Sequence, residues 1–179
     1  MAKREALREL QARLAKRLQA AQSEGMSVAW LAVRAGGCNY LLPLGQSGEI
    51  VALSTPQAVP YSKDWFMGVL NIRGSLFGVV DLARFVAASA NLPLPNHSDV
   101  PGTSASVVTL NAQLEVNCAL QVDSLAGLRG SDAFASNVAP APGAPDFYGH
   151  CFVDAQGHSW QEIDLRALAQ SPQFLSIGA

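Results

Sequence analysis

The chain of 179 residues is 49% hydrophobic, has a mean hydropathy of +0.17 and carries a formal net charge of −2. It is too apolar for a disordered protein, long enough to bury an ordinary core, and too acidic for nucleic acid or an anionic membrane to be its main partner. Because no apolar stretch is long enough to cross a membrane and the amino terminus has no signal-peptide pattern, we expect a cytoplasmic protein without direct membrane insertion.

The first 25 residues predict a basic amphipathic helix that is distinct from the rest of the chain. Four leucines recur at intervals of three and four residues, at Leu7, Leu10, Leu14 and Leu18. Six basic and two acidic residues give residues 1–22 a charge of +4, which leaves the remainder at −6. The leucine stripe is consistent with docking on the protein's own surface, and the basic face with contact to an acidic partner or phospholipid.

Residues 26–175 predict one domain of short strands. In its first half, glycines at 36–37 and an Arg-Gly-Ser turn at 73–75 each join two apolar runs into a hairpin. Asp81 has the position of a helix N-cap, which predicts a short helix that closes a first lobe. The strands predicted before residue 87 lie at 28–33, 40–44, 49–53, 69–72 and 76–80.

The second half has a similar pattern and follows a long loop. Residues 87–104 are rich in proline, serine, asparagine and glycine, which predicts a surface loop or a crossing between two lobes. Residues 130–145 have a similar composition and predict a second loop. The strands predicted here lie at 105–110, 114–122, 124–129, 149–153 and 159–163, before a last helix at about 164–169.

The residue types that carry catalysis or bind metals are scattered along the sequence. The three histidines have no partners at metal-ligand spacing, and no phosphate-binding or nucleophile motif occurs. The three cysteines are far apart, which favours reduced core thiols over disulfides. Four aspartates at strand ends are typical of caps and turns, namely Asp81, Asp123, Asp154 and Asp164. We therefore expect neither an enzyme nor a bound metal or cofactor.

The central hairpin contains the strongest candidate for a binding site. Arg73 lies at its predicted tip, between apolar neighbours Ile72 and Leu76 that we expect to be buried. A guanidinium on a rigid apolar scaffold suits bidentate recognition of a carboxylate. The large aromatic residues Trp65 and Phe77 are expected in the core rather than at a partner interface.

The central hairpin and its flanking strands resemble CheW-like domains. Residues 65–82, WFMGVLNIRGSLFGVVDL, match the family pattern G-x-x-N-x-R-G followed by an apolar run, an aspartate and an apolar residue. The chain departs from the pattern chiefly at Gly78, where the family usually has proline. Its length and its basic, leucine-striped start are more similar to the twitching-motility branch of the family than to the flagellar one. Further matches at 40–50, 118–125 and 154–168 extend the resemblance over about residues 27–170.

The resemblance implies a mainly β fold of two small five-stranded SH3-like barrels around a shared core, with an amino-terminal amphipathic helix and a short carboxyl-terminal helix. It implies a non-enzymatic signalling adaptor that couples methyl-accepting chemoreceptors to a CheA-type histidine kinase, close to membrane-anchored receptor arrays, in a chemotaxis-like or type IV pilus pathway. Glu49 is expected to pair with Arg73 at the hairpin. The positions implied in receptor or kinase contact are Ser47, Glu49, Gly68, Asn71 and Arg73, with Met67 as a further apolar anchor.

Two other classes of function are open at this point. A small-barrel regulatory domain that binds nucleic acid requires a basic, aromatic-rich face, whereas the part of the chain after residue 22 carries −6. A hydrolase in an unfamiliar fold requires a pocket that holds a nucleophile and a base in contact, which the sequence gives no reason to expect.

Overall fold

The computed structural model describes residues 29–93, 95 and 105–179 of the chain. The amino-terminal helix predicted at 1–25 lies outside these residues, as does much of the loop predicted at 87–104. The described residues form eleven strands and three short helices, which confirms the predicted mainly β fold. None of the described helices has the length and apolar character needed to cross a membrane.

The first half of the described chain contains five strands and one helix. These are β1 (Trp30–Ala35), β2 (Cys38–Pro43), β3 (Ser47–Ala52), β4 (Phe66–Ile72), β5 (Ser75–Asp81) and α1 (Leu82–Ser89). The second half contains six strands and two helices. These are β6 (Ser106–Leu110), β7 (Cys118–Val122), β8 (Ser124–Arg129), β9 (Phe134–Val138), β10 (Tyr148–Asp154), β11 (Ser159–Ile163), α2 (Leu165–Gln170) and α3 (Pro172–Leu175).

The strands form two sheets, and the chain passes between them twice. The first sheet has the order β8-β1-β2-β11-β10-β9, and the second has the order β3-β6-β7-β5-β4. The passages between sheets therefore follow β2 and β7. The crossing between lobes that was one of two predictions for residues 87–104 does not lie there, because β5 before this segment and β6 after it both belong to the second sheet.

The first sheet is rolled around its own small core. All six of its strands contribute a side chain to one apolar cluster, which includes Trp30 of β1, Trp160 of β11 and Phe134 of β9. Although three strands separate β1 from β9 in the sheet, the ring centroids of Trp30 and Phe134 are only 5.9 Å apart. A flat sheet spaces its strands about 4.8 Å apart, so this contact requires the sheet to curl into a barrel.

A larger apolar cluster lies between the two sheets and is shared by them. Trp65, just before β4, packs against Phe85 of α1 with ring centroids 5.0 Å apart, and Phe85 packs against Phe174 of α3 at 5.3 Å. Leu31 of β1 and Leu120 of β7 belong to the same cluster. Burial of Trp65 confirms its predicted place in the core, and the helices close the cluster on one side.

The aspartates at strand ends act as caps and turn formers, as the sequence predicts. Asp81 accepts a hydrogen bond from the Arg84 N–H at the start of α1, and Asp164 accepts two at the start of α2. Asp123 accepts a hydrogen bond of 2.8 Å from the Gly36 N–H. An N-cap of this kind stabilises a protein by about 1 kcal/mol.

Two expectations from the sequence are corrected by the structure. Residues 134–138, predicted as part of a loop, form strand β9, since the ring of Phe134 packs on Phe152 at 5.1 Å and the strand pairs with β10. This strand gives the first sheet six strands rather than five. Of the three cysteines, which are all free, only Cys118 lies in the core, whereas Cys38 is exposed and Cys151 is half-buried.

Asp154 organises the turn between β10 and β11 and predicts a dependence of stability on pH. Burial acts to raise the pKa of its carboxyl group, but hydrogen bonds from Trp160, His158 and Gln156 outweigh it and hold this pKa at about 2. Because the folded-state pKa is below the ordinary value of 3.8, the stabilisation is complete above about pH 4 and is lost as the pH falls towards 2.

We therefore expect Asp154→Asn to flatten the acid side of the stability profile. Urea unfolding measured at intervals between pH 6 and pH 2 should show a smaller loss of stability for the variant than for the native chain over pH 4 to 2. Asp132→Asn, at an exposed carboxylate, serves as the control. Equal slopes for Asp154→Asn and the native protein would contradict the assignment.

Candidate functional site

The candidate site is the tip of the hairpin that β4 and β5 form. Two residues, Arg73 and Gly74, connect the strands, and both have left-handed backbones with φ of +49° and +86°. This is the pattern of a type I′ turn, whose twist matches that of the paired strands. Asn71 stabilises the turn because its Oδ1 accepts a hydrogen bond of 2.9 Å from the Gly74 N–H.

Arg73 has an unusual backbone for its residue type. A left-handed conformation costs a non-glycine residue about 1–2 kcal/mol, because Cβ approaches the following carbonyl oxygen. In return, the turn projects the guanidinium group away from the apolar body. Its side chain is 78% exposed, as predicted for the hairpin tip.

Arg73 and Glu49 form a bidentate ion pair, as the family resemblance implies. The Arg73 Nε lies 3.2 Å from Glu49 Oε2, and its Nη1 donates to Oε1 at 3.2 Å. Glu49 is itself half exposed, at 50%, so solvent screens the pair and its contribution to stability is below about 1 kcal/mol. The main effect of the pair is to orient both charged groups.

The ion pair connects the two edges of the second sheet, from Glu49 on β3 to Arg73 after β4, and a backbone contact farther along β4 also joins these edges. Gln57, in the segment after β3, exchanges two backbone hydrogen bonds of 2.8 and 2.9 Å with Val69 of β4. Gly68 makes this approach possible. Its φ is +128°, and a Cβ there would lie 2.1 Å from the Gln57 carbonyl oxygen.

Five of the six residues predicted from the resemblance therefore separate into two groups. Glu49, Asn71 and Arg73 are exposed and lie together at the hairpin tip. Gly68 and Ser47 are buried, and the Ser47 hydroxyl donates to the Pro43 carbonyl at 3.0 Å. These two positions have a clear structural role.

Met67 stands apart from the tip. It is half-buried near the opposite end of β4 and packs against the small core of the second sheet. Phe77 of β5 packs against the same core, which confirms its predicted place. Whether Met67 contacts a partner stays a prediction.

Leu76 is a surface residue that the sequence reading placed incorrectly in the interior. Ile72 is buried as expected, but the Leu76 side chain is 59% exposed. Leu76 lies directly across from Asn71, on the face of β5 opposite to Phe77 and Val79. Val80 on that same face is buried in the cluster between the sheets, so Leu76 is exposed because of its place next to the turn and not because of its face. The position beside the hairpin turn is the signal that would have identified it. We define the hairpin-tip surface as Glu49, Asn71, Arg73 and Leu76.

The departure from the family pattern at Gly78 has a local explanation. The Gly78 N–H donates a hydrogen bond of 3.0 Å to the Asn117 carbonyl, which no proline could make. The ring of Phe66 fills the space above Gly78, with its Cε2 3.0 Å from the place that a Cβ would occupy. The strand is therefore intact at this position.

Other parts of the described chain offer little for catalysis. Within residues 29–93, 95 and 105–179, no group of three or more histidine, cysteine or acidic side chains is arranged to hold a metal ion. A groove of about 520 Å³ lies beside β2 and β10 and is lined by Tyr40 and Tyr148. Burial raises the pKa of both tyrosines, so they act as neutral hydroxyl groups rather than as bases.

Comparisons with known proteins agree with the resemblance seen in the sequence. The model of the CheW-like domain family matches residues 29–173. Protein PilI of Pseudomonas aeruginosa is 28% identical over 167 residues, covering 92% of this chain and 88% of its own length. The crystal structure of the scaffolding protein TtCheW from Thermoanaerobacter tengcongensis is similar with a TM-score of 0.60 at 15% identity, covering 77% of this chain and 89% of that chain.

The close approach at Gly68 predicts a large effect of a small substitution. In Gly68→Ala, the alanine would have a positive φ that is unfavourable for it, and its Cβ would overlap the carbonyl oxygen of Gln57. We expect the substitution to lower the free energy of unfolding by about 2–3 kcal/mol. Gly74→Ala is the matched control, because Gly74 also has a positive φ but has open space where Cβ would lie. Urea unfolding should show the larger loss for Gly68→Ala, and equal losses would contradict the role given to Gly68.

Proposed function

Because the chain belongs to the CheW-like domain family, we propose that it is an adaptor that joins the tip of a methyl-accepting chemoreceptor to the regulatory domain of a CheA-type histidine kinase. CheW-like proteins are non-enzymatic scaffolds. The similarity to PilI supports a pathway that controls twitching motility through type IV pili. The observation that carries the proposal is the exposed, bidentate pair of Arg73 and Glu49 on a closed barrel.

The hairpin-tip surface is suited to binding because its charged groups are already oriented. The guanidinium group of Arg73 has five N–H donors, and Glu49 occupies two of them. The remaining donors face solvent, where they can bind a carboxylate of a partner. A partner that binds here does not have to immobilise a free arginine side chain, which lowers the entropic cost of association.

Leu76 gives the same surface an apolar component. Protein interfaces commonly combine a few apolar residues with oriented charged groups at their edge. Leu76 is exposed across the strand from Asn71, on a hairpin whose other face is fixed by the core of the second sheet. A helical receptor tip that presents an apolar side chain beside an acidic one would match both features.

The adaptor is placed at the receptor arrays by its partners. A chemoreceptor anchored in the membrane holds its signalling tip in the cytoplasm, where kinase and adaptor meet it. We therefore propose that the protein is cytoplasmic and is associated with membrane-anchored receptor arrays through this contact.

Reversal of the charge at Arg73 tests the proposed surface. Arg73→Glu should reduce the affinity for the receptor fragment or the kinase regulatory domain at least tenfold, because it removes the guanidinium group and places two carboxylates side by side. Arg166→Glu, an equal charge change at an exposed residue of α2, should bind normally. Binding is measured by pull-down and calorimetry, and circular dichroism confirms that both variants are folded. Normal binding of both partners by Arg73→Glu would show that the site is assigned incorrectly.

A double variant with the two charges exchanged tests whether a partner recognises these charges or whether the ion pair acts only within the barrel. Glu49→Arg combined with Arg73→Glu keeps an ion pair between the two positions but reverses the charges that a partner meets. If the partner reads these charges, the double variant should bind as weakly as Arg73→Glu alone. Recovery of native affinity would mean that the pair acts only within the barrel, and would contradict direct recognition.

A further inference from the structure

An exposed apolar strip continues the shared core at the edge of the first sheet. Leu31 and Val33 of β1 belong to the shared core, and their cross-strand partners on β8 are Leu128 and Leu125. Directly paired residues present their side chains on the same face of a sheet. The two β8 leucines therefore extend the core face, yet they are 67% and 42% exposed.

A third exposed leucine lies on the other side of β1. The Leu44 N–H donates a hydrogen bond of 3.0 Å to the carbonyl of Ala29, where the continuous described chain begins. Leu44 is two residues beyond Leu42, which is buried in the shared core, so strand alternation places it on the core side. It is 43% exposed. We define the entry strip as Leu44, Leu125 and Leu128.

We propose that the amino-terminal segment, residues 1–28, folds back over the entry strip of its own chain and covers it with the leucine stripe at Leu7, Leu10, Leu14 and Leu18. Connectivity is the first argument. This segment leads directly into Ala29, which is hydrogen-bonded to Leu44, and the next residue, Trp30, is paired with Arg129 beside Leu128.

The length of the leucine stripe and of the residues that follow it also favours the amino-terminal segment as the one that covers the entry strip. In a helix, the stripe from Leu7 to Leu18 is about 16 Å long at 1.5 Å per residue. The residues between Ser23 and Ala29 span up to about 3.5 Å each, which is enough for the chain to reverse direction over strands about 4.8 Å apart. The helix can therefore lie on the strip within a single molecule.

Charge and tethering also favour this contact. The segment 1–22 carries +4 and the rest of the chain −6, so the two attract each other. A short tether also gives the segment an effective concentration in the millimolar range, well above that of a separate partner. A second copy of the chain would have to exceed this advantage in order to occupy the strip.

The test measures amide hydrogen exchange of the full chain by mass spectrometry. Peptides from residues 7–18 should be protected in the native protein, and Leu128→Ser or Leu14→Ser should make their exchange at least tenfold faster. Leu76→Ser is the matched control, because it replaces a leucine at the hairpin tip that is 59% exposed, against 67% for Leu128, and it should leave the protection unchanged. Thermal unfolding confirms that each variant remains folded.

Three results would overturn the proposal. One is exchange over residues 7–18 that is already unprotected in the native chain. Another is protection that Leu128→Ser does not reduce, which would place the segment elsewhere. The last is protection that disappears on dilution together with a dimer seen by light scattering, which would identify a second copy as the occupant.

Discussion

The apolar cluster between the two sheets is the constraint on which the rest of the structure depends. Both sheets contribute strands to it, and the packing of Trp65 on Phe85 and of Phe85 on Phe174 ties the start of β4 to two helices. The described chain starts in the first sheet, builds the second and returns to the first, where β11 pairs in parallel with β2. Each sheet encloses a small core on one face and buries part of its other face against the opposite sheet, and the hairpin that leaves the shared core has a rigid base.

At the hairpin tip, the contacts that stabilise the fold are not the ones that orient the charged side chains. The ion pair of Arg73 and Glu49 is solvent-exposed and contributes little to stability. The turn at Arg73 is stabilised by the hydrogen bond from the Gly74 N–H to Asn71, and the barrel beneath it is closed by Gln57 and Val69, whose approach Gly68 allows. The barrel therefore stabilises the hairpin, and the exposed charged groups of Arg73 and Glu49 can contact a partner.

Much of the fold follows from local sequence signals. The Gly-Gly and Arg-Gly turns, the N-cap at Asp81 and the dense apolar strands each specify an element within a few residues, and the structure has them at those places. Strand β9 could not be seen in this way. Its residues are loop-like in composition, and it is a strand because Phe134 packs against Trp30 and Phe152, which are distant in sequence.

In the candidate site, too, some features follow from local sequence signals and others depend on contacts between residues distant in sequence. The position of Arg73 and its partner Glu49 could be predicted, because turn chemistry and the family pattern fix them. The exposure of Leu76 depends on where along β5 the cluster between the sheets ends, because Val80 on the same face of the strand is buried in that cluster. The burial of Gly68 depends on the contact with Gln57 that closes the barrel, and local sequence signals do not bring these two segments together.

Gly78 shows how the residue at one position restricts which residues another position can have as the sequences of relatives diverge. The ring of Phe66 occupies the space that a side chain at position 78 would need, and the Gly78 N–H is committed to Asn117. A proline at 78 is therefore compatible with this barrel only when residue 66 is smaller or turned aside and the Asn117 carbonyl finds another donor. Positions 66 and 78 should accordingly change together among relatives, so that a departure from the family pattern at one is matched at the other.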